Sequence, residues 1–306
     1  MKNTRRLLCV VMAMVTLLTT LATGITTIDA GAASKTYSFG VKVKYHQTDA
    51  RKMLGYINNF RTSKDAWYWS SDNKTKVKCK NLKKLSYDYT LEKMAMDRVA
   101  EIAVHFDLNR PDGREWKTIY SDYKYGMYFY GQSYGANKAK AKGMFNYWRA
   151  DKKDYSEQIH RRNMLHNEFD SVGVSGVTYN GHTFWVAIYA SSKKINKTKT
   201  SAINSAKTKN IKMLKKYVEY VEILTVDPIK VKKGKNIAMP KITVNVVATK
   251  AWAEYELSVI PSFKFTVGNA SIAKVQKNRI YGLKKGETTL KIKTLGSSEI
   301  FDLIVK

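Results

Sequence analysis

The segment "DSVGVSGVTYNGHTFWVAIYASS", residues 170–192, leaves this chain few choices of fold. Two runs rich in β-branched and aromatic residues flank Asn180-Gly181. Asn and Gly accept positive φ at both central positions of a type I′ turn, whose twist matches that of paired antiparallel strands. The expectation is a hairpin, and so an antiparallel sheet that an apolar layer must cover.

Helical periodicity upstream supplies that layer. "TDARKMLGYINNFR" (48–61) puts Met53, Leu54, Ile57 and Phe60 on one stripe, with Thr48 or Asp49 available to cap it. "DYTLEKMAMDRVAEIAVHF" (88–106) repeats the pattern through Leu91, Met94, Ala95, Val99 and Ile102, with Arg98 among them. "RPDG" (110–113) is turn chemistry, and "GANKAKAKGMFNYWRADK" reads as a third helix. Helices followed by a hairpin predict a mixed α and β domain.

Charge narrows the partners. The formal net charge is +29 and the pI about 9.9, an excess suited to a polyanion. Residues 1–33 carry Lys2, Arg5 and Arg6, then an apolar run, then small residues, the pattern of a signal peptide; a membrane anchor is the alternative. Outside a cell the polyanion is a wall or surface polymer rather than nucleic acid. Beyond the signal the only cysteine is Cys79, so no internal disulfide is expected. Residues 193–216 hold nine lysines and no acid, and 192–222 is expected to be a Lys-rich linker, partly helical. It is read either as a solvated spacer or as a patch for anionic wall polymer. From about Glu222 short strands alternate with Gly, Asn and Pro turns, the texture of a small β-sandwich.

"DARKMLGYINNFR", "LSYDYTLEKMAMDRVAEIA", "RPDG", "YGQSYGAN", "WRADKKDY" and "HRRNML…VGVSGV" follow one another in an order that resembles a secreted bacterial CAP domain. CAP is the cysteine-rich secretory protein, antigen 5 and pathogenesis-related 1 superfamily. The resemblance covers roughly 46–191 and implies an α-β-α sandwich. "NASIAKVQKNRIYGLKKGETTLKIKT" resembles a bacterial Ig-like domain of group 2, over roughly 223–306. The expected fold class is therefore α+β: a CAP-like α-β-α sandwich, then a small all-β Ig-like sandwich.

The resemblance also implies a cleft lined by two histidines and two acids. The first histidine's position is Leu108 here; His105, three residues earlier, is the candidate to replace it. Gln132, in "GQS", stands where the first acid is implied, and an amide neither transfers a proton at neutral pH nor binds divalent metals well. Asp151, spaced from Trp148 and Tyr155, stands for the second acid, and His160 for the second histidine. His182, in "GHTFW", follows the turn glycine and is expected to be exposed. Arg161 and Arg162 could each pair with an anion, yet adjacent residues point apart. The Tyr-rich "YSDYKYGMYFYGQSYG" is either sheet packing or a glycan-contacting face.

The expected candidate cleft is thus His105, Gln132, Asp151 and His160, with no assigned catalytic residue, no metal ligand set and no cofactor beyond a divalent ion at His160. The function expected is a secreted, non-enzymatic CAP-domain protein that binds a cell-surface or extracellular ligand, an anionic cell-wall polymer being the suspected partner. An Ig-like spacer or adhesion module accompanies it. Metal-dependent or acid–base hydrolysis and lipid or sterol binding are the alternatives.

Overall fold

The computed structural model describes residues 35–150, 154–250 and 253–306. The expected signal segment, 1–33, and Asp151 lie outside the described residues. In chain order the first half comprises β1 (Thr36–Tyr45), α1 (Gln47–Arg51), α2 (Met53–Arg61), β2 (Trp67–Trp69), β3 (Lys76–Lys78), β4 (Ser86–Tyr87), α3 (Tyr89–Val104), α4 (Thr118–Asp122), β5 (Met127–Ala136), α5 (Ala141–Arg149), α6 (Ile159–Leu165), β6 (Ser171–Tyr179) and β7 (His182–Ser192). The second half is all strand: β8 (Ala206–Leu214), β9 (Val218–Leu224), β10 (Ile229–Val231), β11 (Asn236–Ala238), β12 (Thr243–Lys250), β13 (Ala253–Ile260), β14 (Lys264–Val267), β15 (Ala273–Gln276), β16 (Arg279–Gly282), β17 (Gly286–Thr294) and β18 (Ser297–Val305).

The local signals produce the local elements. Asn180 and Gly181 have φ of 47° and 79°, the two positive values of a type I′ turn, and β6 and β7 pair from Tyr179↔His182 to Ser171↔Ala190. Asp88 caps α3, its Oδ1 accepting from the backbone N–H of Thr90 at 2.7 Å and of Leu91 at 3.2 Å. The first predicted helix divides at Lys52 into α1 and α2. The third is shorter than its quoted segment, because residues up to Ala136 continue β5.

Period-two alternation places one helical layer on each face of the sheet. Along β7, Val186, Ile188 and Ala190 join a core with α3 and α4, whereas Trp185, Ala187 and Tyr189 join one with α2, α5 and α6. This is an α+β, CAP-like fold followed by a β-rich region of several sheets.

The Lys-rich linker is a correction. Residues 206–214 form β8, antiparallel to β1 from Thr36↔Leu214 to Lys44↔Ala206. Ile211 and Met213 enter the α3 core, Lys212 between them faces outward, and Lys209 on their own face pairs with Asp97 of α3. The helical part reduces to a single 3-10 turn, Lys215–Tyr217. β1 falls in what reads as a short polar stretch, yet Phe39, Val41, Val43 and Tyr45 alternate into the same core. One nine-stranded sheet therefore runs β5-β7-β6-β1-β13-β12-β9, with β4 on β6 and β8 on β1. β12 and β13 are taken from the stretch expected to be Ig-like, and β9 straddles its boundary with the expected linker. What remains builds a second core between a four-stranded sheet (β10-β18-β17-β14) and a three-stranded sheet (β11-β16-β15), around Ile280, Leu290, Ile292 and Leu303. Among the described residues no helix is long and apolar enough to cross a membrane.

Candidate functional site

The described residues of the expected cleft lie where α3, the loop after it, the edge strand β5 and the start of α6 meet. Its centre is a residue that sequence reasoning passed over. Arg98 sits on the sheet-facing stripe of α3 between Met94, Ala95 and Ile102, and its relative exposure is 0%. A buried guanidinium needs acceptors for its donors. Arg98 Nε donates to Gln132 Oε1 at 3.1 Å and Nη1 to Glu101 Oε2 at 3.1 Å. Nη2 donates to the carbonyls of Asp107 and Leu108, both at 2.8 Å, and of Asn109 at 3.3 Å. The loop 107–109 thus turns its backbone inward onto Arg98, and Leu108 is left with its side chain 50% exposed. Burial lowers the Arg98 pKa, but guanidinium starts so high that it remains a cation. The available signal was an arginine on the apolar face of a strongly periodic helix.

Charge is distributed from Arg98 along a chain of ion pairs. Arg110 donates from Nε to Glu101 Oε1 at 3.0 Å and from Nη2 at 2.5 Å. Arg110 Nη1 reaches Asp122, which Arg114 also holds. Arg110 opens the "RPDG" turn, which closes through Gly113 N–H to the Arg110 carbonyl at 2.9 Å with Gly113 at φ 88°. The turn is anchored by charge at one end, and at the other by Leu214 N–H donating to the Pro111 carbonyl at 2.9 Å.

His105 packs against residues distant in sequence. It ends α3, is buried, stacks on Tyr217 at 4.4 Å and places Nδ1 3.3 Å from Tyr255 Oη. Tyr217 comes from the 3-10 turn after β8, and Tyr255 from β13. Its neighbour Phe106 instead packs edge-on against Tyr134 at 5.2 Å.

Gln132 and His160 do come together, through Tyr134 and Asn163. His160 is in the first turn of α6 with Tyr134 (ring centroids 6.2 Å) and Trp148 (6.0 Å) on either side. Asn163, one turn later, donates to the Gln132 carbonyl at 2.7 Å, tying α6 to β5. Gln132 Nε2 and His160 Nδ1 are buried without a hydrogen-bond partner among the described residues. Burial, with Arg162 adding repulsion, lowers the His160 pKa to about 4. The imidazole is neutral at neutral pH. Because this value lies below the unfolded one near 6.5, an unfolding chain takes up a proton that the native state refuses. The contribution to stability is complete above about pH 6.5 and is lost as pH falls towards 4. NMR titration is expected to show His160 neutral down to about pH 4. The fall in Tm between those pH values should be smaller in His160→Gln, and an unchanged fall would show that the imidazole is not its source.

The two arginines after His160 are both committed. Arg161 is buried and donates to the carbonyls of Trp67, Asp65 and Arg149. Arg162 donates to the Tyr155 carbonyl, its guanidinium 3.6 Å from the centroid of that ring. His182 is exposed, with Nδ1 3.1 Å from Asn137 Oδ1. The Tyr-rich segment divides: Tyr120 is buried, Tyr123 and Tyr125 are half-buried, and Tyr128, Phe129 and Tyr130 are exposed at the start of β5.

The described residues of the expected site do not fit a divalent cation. Leu108 and Gln132 supply no ionisable ligand, and the oxygen that Gln132 could offer already accepts from a fixed cation. Among the described residues no three His, Cys, Asp or Glu are grouped so as to hold a metal.

The profile described as CAP, the Cysteine-rich secretory protein family, matches residues 54–189, and this segment is a CAP domain. Among solved structures, an extracellular protein containing an SCP domain from Bacillus anthracis is similar at 16% identity with a TM-score of 0.35, over 47% of this chain and 40% of that one. An outer surface protein from Borrelia burgdorferi is similar at 15% identity and a TM-score of 0.37, over 48% of this chain and 95% of that one. A cysteine-rich secretory protein from Staphylococcus aureus is similar at 15% identity and a TM-score of 0.34, over 47% of this chain and 38% of that one. No curated protein sequence matches.

Proposed function

We propose that this protein is secreted, binds a ligand outside the cell, and uses its CAP cleft as a rigid scaffold rather than as a metal-dependent or acid–base hydrolase. The observation that carries this reading is the Arg98 guanidinium, buried in the cleft and hydrogen-bonded to Gln132 and to the loop 107–109. A fixed cation repels a metal ion, and the Gln132 amide cannot transfer a proton in partnership with His160, which burial makes a weak base. The partner proposed is an anionic surface polymer, which the net charge of +29 would attract. The C-terminal two-sheet unit is proposed as an Ig-like stand-off module; Ala273, Ile280 and Leu290 of the motif that suggested it are buried in its core.

Titration calorimetry with ZnCl2 tests the cleft. Only weak, non-saturating heats are expected, identical in the wild type and in His160→Ala. Stoichiometric zinc binding that disappears in His160→Ala would overturn the reading and restore the hydrolase alternative.

A further inference from the structure

The lysine-rich stretch begins as a built wall rather than as a spacer. Residues 193–198 fold back across the turn between α4 and β5 and enclose a groove of about 500 Å3, lined also by Thr90, Tyr123, Lys124, Tyr125 and Gly126. Backbone bonds fix both ends of the segment: Lys193 N–H donates to the Gly126 carbonyl at 3.0 Å, and Tyr89 N–H to the Asn196 carbonyl at 2.9 Å. Asn196 adds two more, from its N–H to Asp88 Oδ2 at 3.1 Å and from Nδ2 to Thr90 Oγ1 at 3.1 Å.

Four ammonium groups surround this groove: Lys124, Lys193, Lys194 and Lys197, all exposed. None has a carboxylate within ion-pair distance among the described residues, whereas Lys52, Lys117 and Lys209 each do. The carboxylate at the groove's base, Asp88, is saturated. Its Oδ1 caps α3, and its Oδ2 accepts from Tyr125 Oη at 2.6 Å as well as from Asn196. Four unpaired like charges on a pinned frame are mutually repulsive, and the frame gains by receiving anions.

The aromatic groups indicate which anion. Tyr123 and Tyr125 are half-buried with their hydroxyls committed to Asp97 and Asp88. The exposed Tyr128 ring (68%) has the Lys193 ammonium 5.5 Å from its centroid. The only described aromatic rings lining the groove, Tyr123 and Tyr125, are half-buried and do not form an exposed pair for bases to stack on in succession. What the groove presents is spaced point charges with short flat apolar edges between them, suited to phosphates alternating with sugar or polyol units.

We propose that the groove between the α4–β5 turn and residues 193–198 binds a phosphodiester-linked glycopolymer, seated by Lys124, Lys193, Lys194 and Lys197. This deepens the binding-protein reading by naming its ligand class, and it is independent of the cleft chemistry. The test uses the full secreted chain and polyglycerol phosphate as probe, with affinity followed by calorimetry across salt concentrations. One variant carries Lys→Glu at all four groove positions. A control carries the same charge change at Lys76, Lys78, Lys80 and Lys83. Circular dichroism and Tm establish that both are folded. The groove variant is expected to lose at least ~30-fold in affinity and the control less than ~3-fold, while the wild-type log affinity falls against log salt with a slope of about 3. Equal losses in both variants, or no loss in either, would reject the site. Equally tight, groove-dependent binding of single-stranded DNA would reject the glycopolymer in favour of a nucleic acid. Hydrolysis of the probe would instead count against the non-enzymatic reading while leaving the site in place.

Discussion

Replacing Arg98 by methionine is expected to lower Tm by about 10 °C. The substitution keeps most of the volume and removes the charge. It leaves Glu101, buried beside Arg110, with half its compensation, and leaves the carbonyls of Asp107 and Leu108 aimed at an apolar side chain. Removing one partner of a buried charged network costs about 3–5 kcal/mol. For a chain of this size about 1 kcal/mol corresponds to 2–4 °C. Gln132 Oε1 also loses its donor, so the loop 107–109 should loosen and amide exchange there should quicken by more than tenfold. A Tm within about 2 °C of wild type would mean that the network does not hold the cleft together, and the proposed function would lose its principal support.

Gly173→Val is expected to destabilise the protein by at least about 3 kcal/mol, and soluble yield should fall with it. α3 crosses β6 so closely that a Cβ at this position would lie 2.1 Å from the Glu92 backbone nitrogen and 2.2 Å from the Leu91 carbonyl carbon. Those atoms belong to the capped first turn of α3 and cannot rotate away as a side chain would. To admit a methyl group the whole helix must lift from the sheet, separating Leu91, Met94 and Ala95 from the core they share with Val177 and Ile188. Gly55→Ala is the matched control. It lies within α2 with nothing within 4 Å of the added Cβ, and it should stabilise by about 0.5–1 kcal/mol. If Gly173→Val melts at the control's temperature, α3 does not rest on the sheet as described.

Much of the CAP half was legible because its signals are local. An Asp cap, an apolar stripe and an Asn-Gly turn act within a few residues, so α3 and the β6–β7 hairpin follow from sequence with small errors at their ends. The candidate site was legible only in part. That the helix of His160 is tied to the strand of Gln132 agrees with the motif order. That His105 packs against Tyr217 and Tyr255, more than a hundred residues away, is visible only in the fold. Arg98 was visible as a polar residue on an apolar face, but only the fold shows which carbonyls and which amide satisfy it.

The sequence alone determined the antiparallel hairpin, the helices that cover it, the loss of ionisable groups at Leu108 and Gln132, and the large positive charge. The tertiary structure decided what the charge is attached to. A run such as "AKTKNIKML" has two strongly buried apolar side chains and no strand signal of its own, so its conformation depends on an available edge. β1 offers that edge along its whole length, from Thr36 to Lys44, and pairing satisfies backbone groups that a solvated linker would have left to water. The same pairing draws the chain before it back across α3, and this converts lysines of a presumed spacer into one wall of a groove.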